Sequence, residues 1–315
     1  MIYSWSTIGH NKQLNQLEHD IHGERLSHAY LFVGPAGIGK MHIAKTLAGI
    51  IQCPNNYCRT CPICKQIEKN IHQDTIQLVD KGESIKIEEV KGLVERVNLS
   101  TQSNRKVVII DGLERLTPEA ANALLKTLEE PPSHTIIIAT IHDLHATLAT
   151  IVSRMRAVYF KKPTHAEIRA ALAQLYPQAN TETIESAVAL SFGASGRARA
   201  LVEDPERLSE LRKEFDHIAY LYEQEGLAER IVHMGELTKA EAEEKDEKKA
   251  PVIVSKFLDT LQLFLHQKLH QFIGDEAQQL RIISHIEKAH DARQLYEKNI
   301  NTRLILEHLN VNLLK

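Results

Sequence analysis

Three sets of residues have types and spacing that can do chemistry. The first is Gly34-Pro35-Ala36-Gly37-Ile38-Gly39-Lys40, which follows an apolar run and precedes an amphipathic stretch. A glycine loop between a strand and a helix lets backbone N–H groups wrap a phosphate. A lysine at the helix N-terminus adds positive charge there. The phosphate-loop pattern G-x4-G-K continues with Ser or Thr, whose hydroxyl binds Mg²⁺, but here the next residue is Met41. A thioether is a poor ligand for that hard cation. The second set is Val107-Val108-Ile109-Ile110-Asp111, an apolar strand ending in an acid near the magnesium position. In many hydrolytic proteins of this type a Glu follows the Asp and polarises the attacking water. Here that position is Gly112, and Glu114 lies two residues further on. With both hydroxyl and Glu lost, hydrolysis by this chain is expected to be impaired, while Lys40 and the loop amides leave nucleotide binding open.

The third set is Cys53-x4-Cys58-x2-Cys61-x2-Cys64, which holds all four cysteines of the chain within a dozen residues. Disulfide frameworks spread their cysteines, so this crowding points to a metal in a reducing compartment. Two overlapping C-x2-C pairs suit a closed, structural S₄ site and favour Zn²⁺, although spacing alone leaves an iron–sulfur centre open. A fourth feature, Ser153-Arg154-Met155-Arg156, places a guanidinium between expected strands. An arginine on a surface loop can complete a neighbouring subunit's phosphate site, though surface arginines are more often simply solvating. His266 and His270 stand four apart, but lack the intervening Glu of a zinc protease and read as helix-surface residues.

The elements that must position these groups are legible from periodicity. Ala29–Val33, Val107–Ile110 and Ile136–Ala139 are near-continuous apolar runs, as in strands buried on both faces of a parallel sheet. Ile76–Val79 and Val158–Phe160 are weaker strand candidates. Thr117-Pro118-Glu119 opens a helix as N-cap, first-turn proline and dipole-matched acid. Ala121, Leu124, Leu125 and Leu128 form its apolar face, and Pro131-Pro132 stops it. Strand–helix alternation of this kind predicts a doubly wound α/β domain over residues 1–161. Beyond Lys161-Lys162-Pro163 the strand signals vanish. A small helical unit is expected over 162–206, then an all-α bundle over 207–315, interrupted by the mixed-charge run 236–250.

The chain of 315 residues has 43% hydrophobic and 25% charged residues, enough apolar material for two or three domains and too much for wholesale disorder. Its formal charge of −3 excludes a nucleic-acid polycation, so any DNA contact must be local or shared with partners. No apolar run nears the ~20 residues of a membrane span and no signal-peptide pattern opens the chain, which reads as cytoplasmic.

With these residues assembled, the chain resembles the bacterial DNA polymerase III clamp-loader subunits of the AAA+ superfamily, most of all the delta-prime type. The resemblance is carried by Ile8-Gly9, the run Arg25–Phe32, the phosphate loop, the four cysteines, His72-Gln73-Asp74, Ile85-Lys86-Ile87, Val108–Asp111 and Ala120–Pro132. It ends in Ser153-Arg154, where Met155 replaces the Cys of the family's Ser-Arg-Cys motif; the last hundred residues match only in helical character and in Asn299–Leu304. It implies an AAA+ α/β P-loop domain with a parallel sheet, a small helical lid and a C-terminal helical collar. The implied assembly is a pentamer that opens the sliding clamp and places it on primer-template DNA. In it a delta-prime-like stator, often defective in nucleotide chemistry, lends Arg154 to an adjacent gamma/tau-type motor and sits with a delta-type subunit. Arg197 is similar to the lid arginine that senses nucleotide, joining Gly34, Gly37, Gly39, Lys40, Met41 and Asp111 at the implied ATP or ADP site. The resemblance leaves a gamma/tau-type ATP-hydrolysing motor as the alternative, against which Met41 and Gly112 speak.

Overall fold

In the computed structural model, residues 3–79, 84–101, 103, 105–144, 147–223, 235–240, 253–272, 274–297 and 300–312 are described. The charged run 241–250 and Asn299 lie outside them. The chain divides into two compact units, Met1–Glu203 and Asp204–Lys315.

The first unit is built on five strands: β1 (Ala29–Val33), β2 (Thr75–Leu78), β3 (Lys106–Ile110), β4 (Thr135–Ile141) and β5 (Arg156–Tyr159). All pairings are parallel and the order is β2-β3-β4-β1-β5. The continuous apolar runs follow from this: every residue of β1, β3 and β4 is buried. Their side chains alternate between two cores. Tyr30, Phe32, Val107, Ile109, Ile136 and Ile138 face one, which α2 (Lys40–Gln52) covers through Ile43, Leu47 and Ile50 and α1 (Asn11–His22) through Leu14 and Leu17. Leu31, Val108, Ile110, Ile137 and Ala139 face the other, covered by Val90, Leu93 and Val97 of α4 (Ile87–Asn98) and Leu124 and Leu128 of α5 (Pro118–Glu129). A short helix α3 (Pro62–Glu68) carries the last of the cysteines. Helix α5 begins as its sequence dictates, with the Thr117 hydroxyl accepting from the Ala120 amide at 3.2 Å. A single turn, α6 (Ala149–Val152), leads into β5.

Three helices complete this unit: α7 (His165–Leu175), α8 (Thr181–Ser191) and α9 (Ser195–Glu203). Helix α7 opens on a reciprocal cap between Thr164 and Glu167. The second unit holds α10 (Pro205–Glu223), α11 (Ile253–Gln271), α12 (Glu276–Glu297) and α13 (Thr302–Asn312). Their core gathers Ile218, Val254, Leu258, Leu261, Leu265, Ala289, Ile305, Leu306 and Leu309. His266 lies exposed on α11. Among the described residues no helix is long and apolar enough to cross a membrane.

Candidate phosphate cradle, finger arginine and cysteine cluster

In a parallel sheet the carboxyl ends of all strands share one edge, and the loops there form the ligand crevice. The loop 34–40 leaves β1 at that edge. Gly34 sits where a Cβ would come within 2.3 Å of the Phe160 carbonyl oxygen, so no side chain fits. Gly37 and Gly39 have φ of 73° and 99°, left-handed backbone that glycine adopts without strain. The carbonyls of the loop are held on its far side. Gly37 O accepts from the Gly196 amide at 2.8 Å, and Ile38 O accepts from the Ser195 hydroxyl at 3.0 Å. The His10 ring also lies 3.1 Å from Ile38 O. The start of α9 thus braces the loop.

Lys40, 5% exposed, turns its ammonium onto the carbonyls of Gly34 at 2.5 Å and Pro35 at 2.8 Å. Burial lowers its pKa to about 8, against the opposing pull of Glu114 and, more weakly, Asp111. Met41, in the first turn of α2, packs partly buried against the core, so the position that would supply a hydroxyl is apolar in contact as well as in type. Asp111 ends β3, where its carboxylate accepts from the Thr140 hydroxyl at 2.5 Å; Thr140 in turn accepts from the Gly112 amide at 3.1 Å. Gly112 has φ 75° and turns the chain into the 3-10 segment Leu113–Arg115. That turn brings in a pair that sequence reading only half found. Glu114 accepts from His142 Nδ1 at 2.8 Å. Burial pushes the Glu114 carboxyl up, but the His142 hydrogen bond and charge outweigh this and hold it below the usual carboxylate range. Only its position one residue beyond β4 signals His142 in the sequence.

Arg197 is exposed on α9. Its neighbours Ser195 and Gly196 meet the phosphate loop, the first at Ile38 O and the second so closely that a Cβ there would lie 2.8 Å from Gly37 O.

Arg154 sits at the other edge of the sheet. It precedes β5, and the register pairs Arg156 with Tyr30 and Tyr159 with Val33. The five residues of β1, roughly 17 Å of strand, separate the level of the turn that carries Arg154 from the loop after Val33. Its guanidinium pairs with Glu129 at the end of α5 at 2.6 Å and donates to the Thr150 carbonyl at 2.8 Å. Lys40, Asp111, Glu114 and His142 therefore share one edge, and Arg154 stands on the opposite one.

The four cysteines converge. Sγ–Sγ distances are 3.9 Å for Cys53–Cys58, 3.7 Å for Cys53–Cys61, 4.0 Å for Cys58–Cys64 and 3.5 Å for Cys61–Cys64. All four sulfurs lie within 4.8 Å of one another. These separations are far too long for disulfides. A tetrahedron with Zn–S bonds of about 2.3 Å has edges of about 3.8 Å, so the donor set fits such an ion. Cys58 is brought down to about 6 by hydrogen bonds from Thr60 and the Cys61 backbone, whereas burial pushes the Cys64 thiol up. The loop is seated on α2 by Tyr57, whose ring occupies the space a Cβ on Gly49 would need, 2.2 Å from its Cδ2.

The family match falls within the first unit. Residues 9–164 match the family described as "DNA polymerase III, delta subunit". The DNA polymerase III subunit gamma of Buchnera aphidicola is 37% identical over 164 residues, 50% of this chain and 45% of that protein. The DNA polymerase III subunit tau of Bacillus subtilis is 35% identical over 162 residues, 50% of this chain and 29% of that protein. The chain thus matches less than half the length of these relatives. A solved structure of a gamma subunit-related protein from Thermotoga maritima superposes with TM-score 0.52 at 17% identity, covering 95% of this chain and 98% of that one, which shows a shared fold.

Proposed function

We propose that this chain, whose residues 9–164 form a DNA polymerase III clamp-loader domain of the AAA+ type, is a delta-prime-like stator that lends Arg154 to a neighbouring ATPase subunit. The observation that carries the reading is the placement of Arg154. A guanidinium held on Glu129 at the end of the sheet opposite its own phosphate loop is suited to a phosphate across a subunit boundary. Met41 and Gly112 support it further, because a cradle without the metal-binding hydroxyl or the acid beside Asp111 is poorly built for its own turnover. On this reading Gly34, Gly37, Gly39 and Lys40 form a phosphate cradle for ATP or ADP, with Mg²⁺ weakly held at most. Arg197 is the lid arginine that senses bound nucleotide. Cys53, Cys58, Cys61 and Cys64 hold a structural Zn²⁺, and the helical unit after Glu203 serves as an oligomerisation collar. The partners are gamma/tau-type and delta-type subunits and, through the assembled complex, the sliding clamp and primer-template DNA in the cytoplasm.

The second reading is a gamma/tau-type motor, favoured by the names of the relatives, which are gamma and tau subunits. One experiment on the reconstituted loader separates the two. Under the stator reading Arg154→Ala lowers clamp-stimulated ATP turnover at least about tenfold, in line with arginine-finger effects, while Lys40→Ala in this chain changes it less than about twofold. Under the motor reading Lys40→Ala is the damaging change.

A further inference from the structure

Glu114, half-buried, and His142, exposed, are given no role by the reading above. Strand β4 lies between β3 and β1 in the sheet, and the Gly34 amide donates to the carbonyl of Ile141, the last residue of β4, at 3.1 Å. His142 is therefore the residue that follows β4 directly beside the phosphate loop. The His142 ring holds Glu114 Oε1 at 2.8 Å, and the Glu114 side chain is 15% exposed. Its other oxygen, Oε2, is buried and accepts no hydrogen bond among the described residues. Asp111, the other carboxylate at this edge, has Oδ1 committed to Thr140. Neither acid reaches the Lys40 ammonium, which rests on the Gly34 and Pro35 carbonyls, yet both charges act on it, Glu114 the more strongly.

A phosphate loop usually accommodates a third phosphate because a divalent ion, held by a loop hydroxyl and an acid at the end of the second strand, bridges the outer two phosphates. Here the hydroxyl is replaced by Met41, while a second carboxylate, Glu114, stands at the same edge as Asp111, held there by His142. A terminal phosphate would bring further negative charge beside two acids with little to neutralise it. A diphosphate is satisfied by the loop amides and Lys40 alone. We propose that Glu114, oriented by His142, makes this cradle select nucleoside diphosphates over triphosphates. The proposal rests on the phosphate-cradle reading of the loop and is independent of any role of Arg154 in trans.

The test is calorimetric titration of the full chain with ADP and with ATP, each with Mg²⁺ and with chelator. The expected result is at least about tenfold tighter binding of ADP. In Glu114→Gln the preference falls below about threefold because ATP binds more tightly while ADP changes less than about twofold. Glu114→Asp, which keeps the charge, retains the preference and so separates charge from shape. ATP binding as tight as ADP in the wild-type chain, or a preference unchanged in Glu114→Gln, overturns the proposal and leaves the cradle standing. Absence of saturable binding of either nucleotide at millimolar concentration overturns the proposal and the cradle reading together. Normal loader stimulation by the same preparation would show that the role of Arg154 survives both.

Discussion

Gly196→Ala sets two effects of opposite sign against each other. Gly196 lies in α9, and alanine in place of a helical glycine is ordinarily favourable by up to about 1 kcal/mol. Its added methyl would, however, stand 2.8 Å from the carbonyl oxygen of Gly37 and 3.5 Å from the Gly39 amide. Both neighbours are backbone of the phosphate loop and cannot rotate away, so α9 must withdraw. Withdrawal breaks the Gly196 amide to Gly37 carbonyl bond of 2.8 Å and the Ser195 hydroxyl to Ile38 carbonyl bond of 3.0 Å. At about 1 kcal/mol each the two lost bonds outweigh the helix gain, and crowding adds to the loss, for a net destabilisation of about 1–3 kcal/mol. Gly92→Ala in α4 is the control, because a Cβ there meets nothing within 4 Å and only the favourable term operates. Thermal melts of the two variants should move in opposite directions, Gly196→Ala down and Gly92→Ala up. Hydrogen exchange should show faster exchange at the Gly196 amide in the former. A Gly196→Ala protein as stabilised as Gly92→Ala, with that amide still protected, would refute the bracing of the loop by α9.

Three further outcomes follow from the same geometry. Chelation should remove one zinc per chain, render Cys53, Cys58, Cys61 and Cys64 titratable and lower the melting temperature; a metal-free, fully folded protein with four titratable thiols would refute the site. Gly49→Ala forces the Tyr57 ring off α2 and should cost about 1–3 kcal/mol, read as a lower melting temperature and faster metal loss under chelator. Lys40 holds its proton below about 8 in the folded chain, so affinity for ADP or pyrophosphate should fall as pH rises from 7 to 9.5. The folding linkage has the opposite sign: between about 8 and the ordinary 10.5 the unfolded lysine is protonated and the folded one is not. This group's contribution to stability therefore rises with pH across that window, and a Lys40→Met variant should lose both dependences.

The strands were legible because burial on both faces leaves no room for polar residues, so Ala29–Val33 and Val107–Ile110 read as strands without any partner being known. Helix α5 was legible because its N-cap, proline and apolar face all agree. The cysteine cluster was visible because all four residues are of one type and lie within twelve positions of one another. What stayed hidden depends on chain segments meeting at long range. Lys106 reads as a polar start to a strand, yet it is 4% exposed, and its ammonium caps the end of α4 on the carbonyls of Arg96, Val97 and Leu99. Glu114 could be noticed near Asp111, but its partner His142 is 28 residues away and only the order β3-β4-β1 brings them together. The pairing of Arg154 with Glu129 likewise joins the turn before β5 to the end of α5, which no local pattern connects. Gly49 and Gly196 look like weak points within helices, and their need for a missing Cβ appears only against Tyr57 and Gly37.

On the proposed function Arg154 acts on a phosphate held by another subunit. The most direct measurement is made on Arg154→Ala twice, as the isolated chain and within the reconstituted loader. ADP affinity and melting temperature of the isolated variant should match wild type within about twofold and about 2 °C, while ATP turnover of the loader falls at least about tenfold with assembly intact. Full turnover in the assembled variant, or a loss of nucleotide affinity already present in the isolated chain, would contradict it.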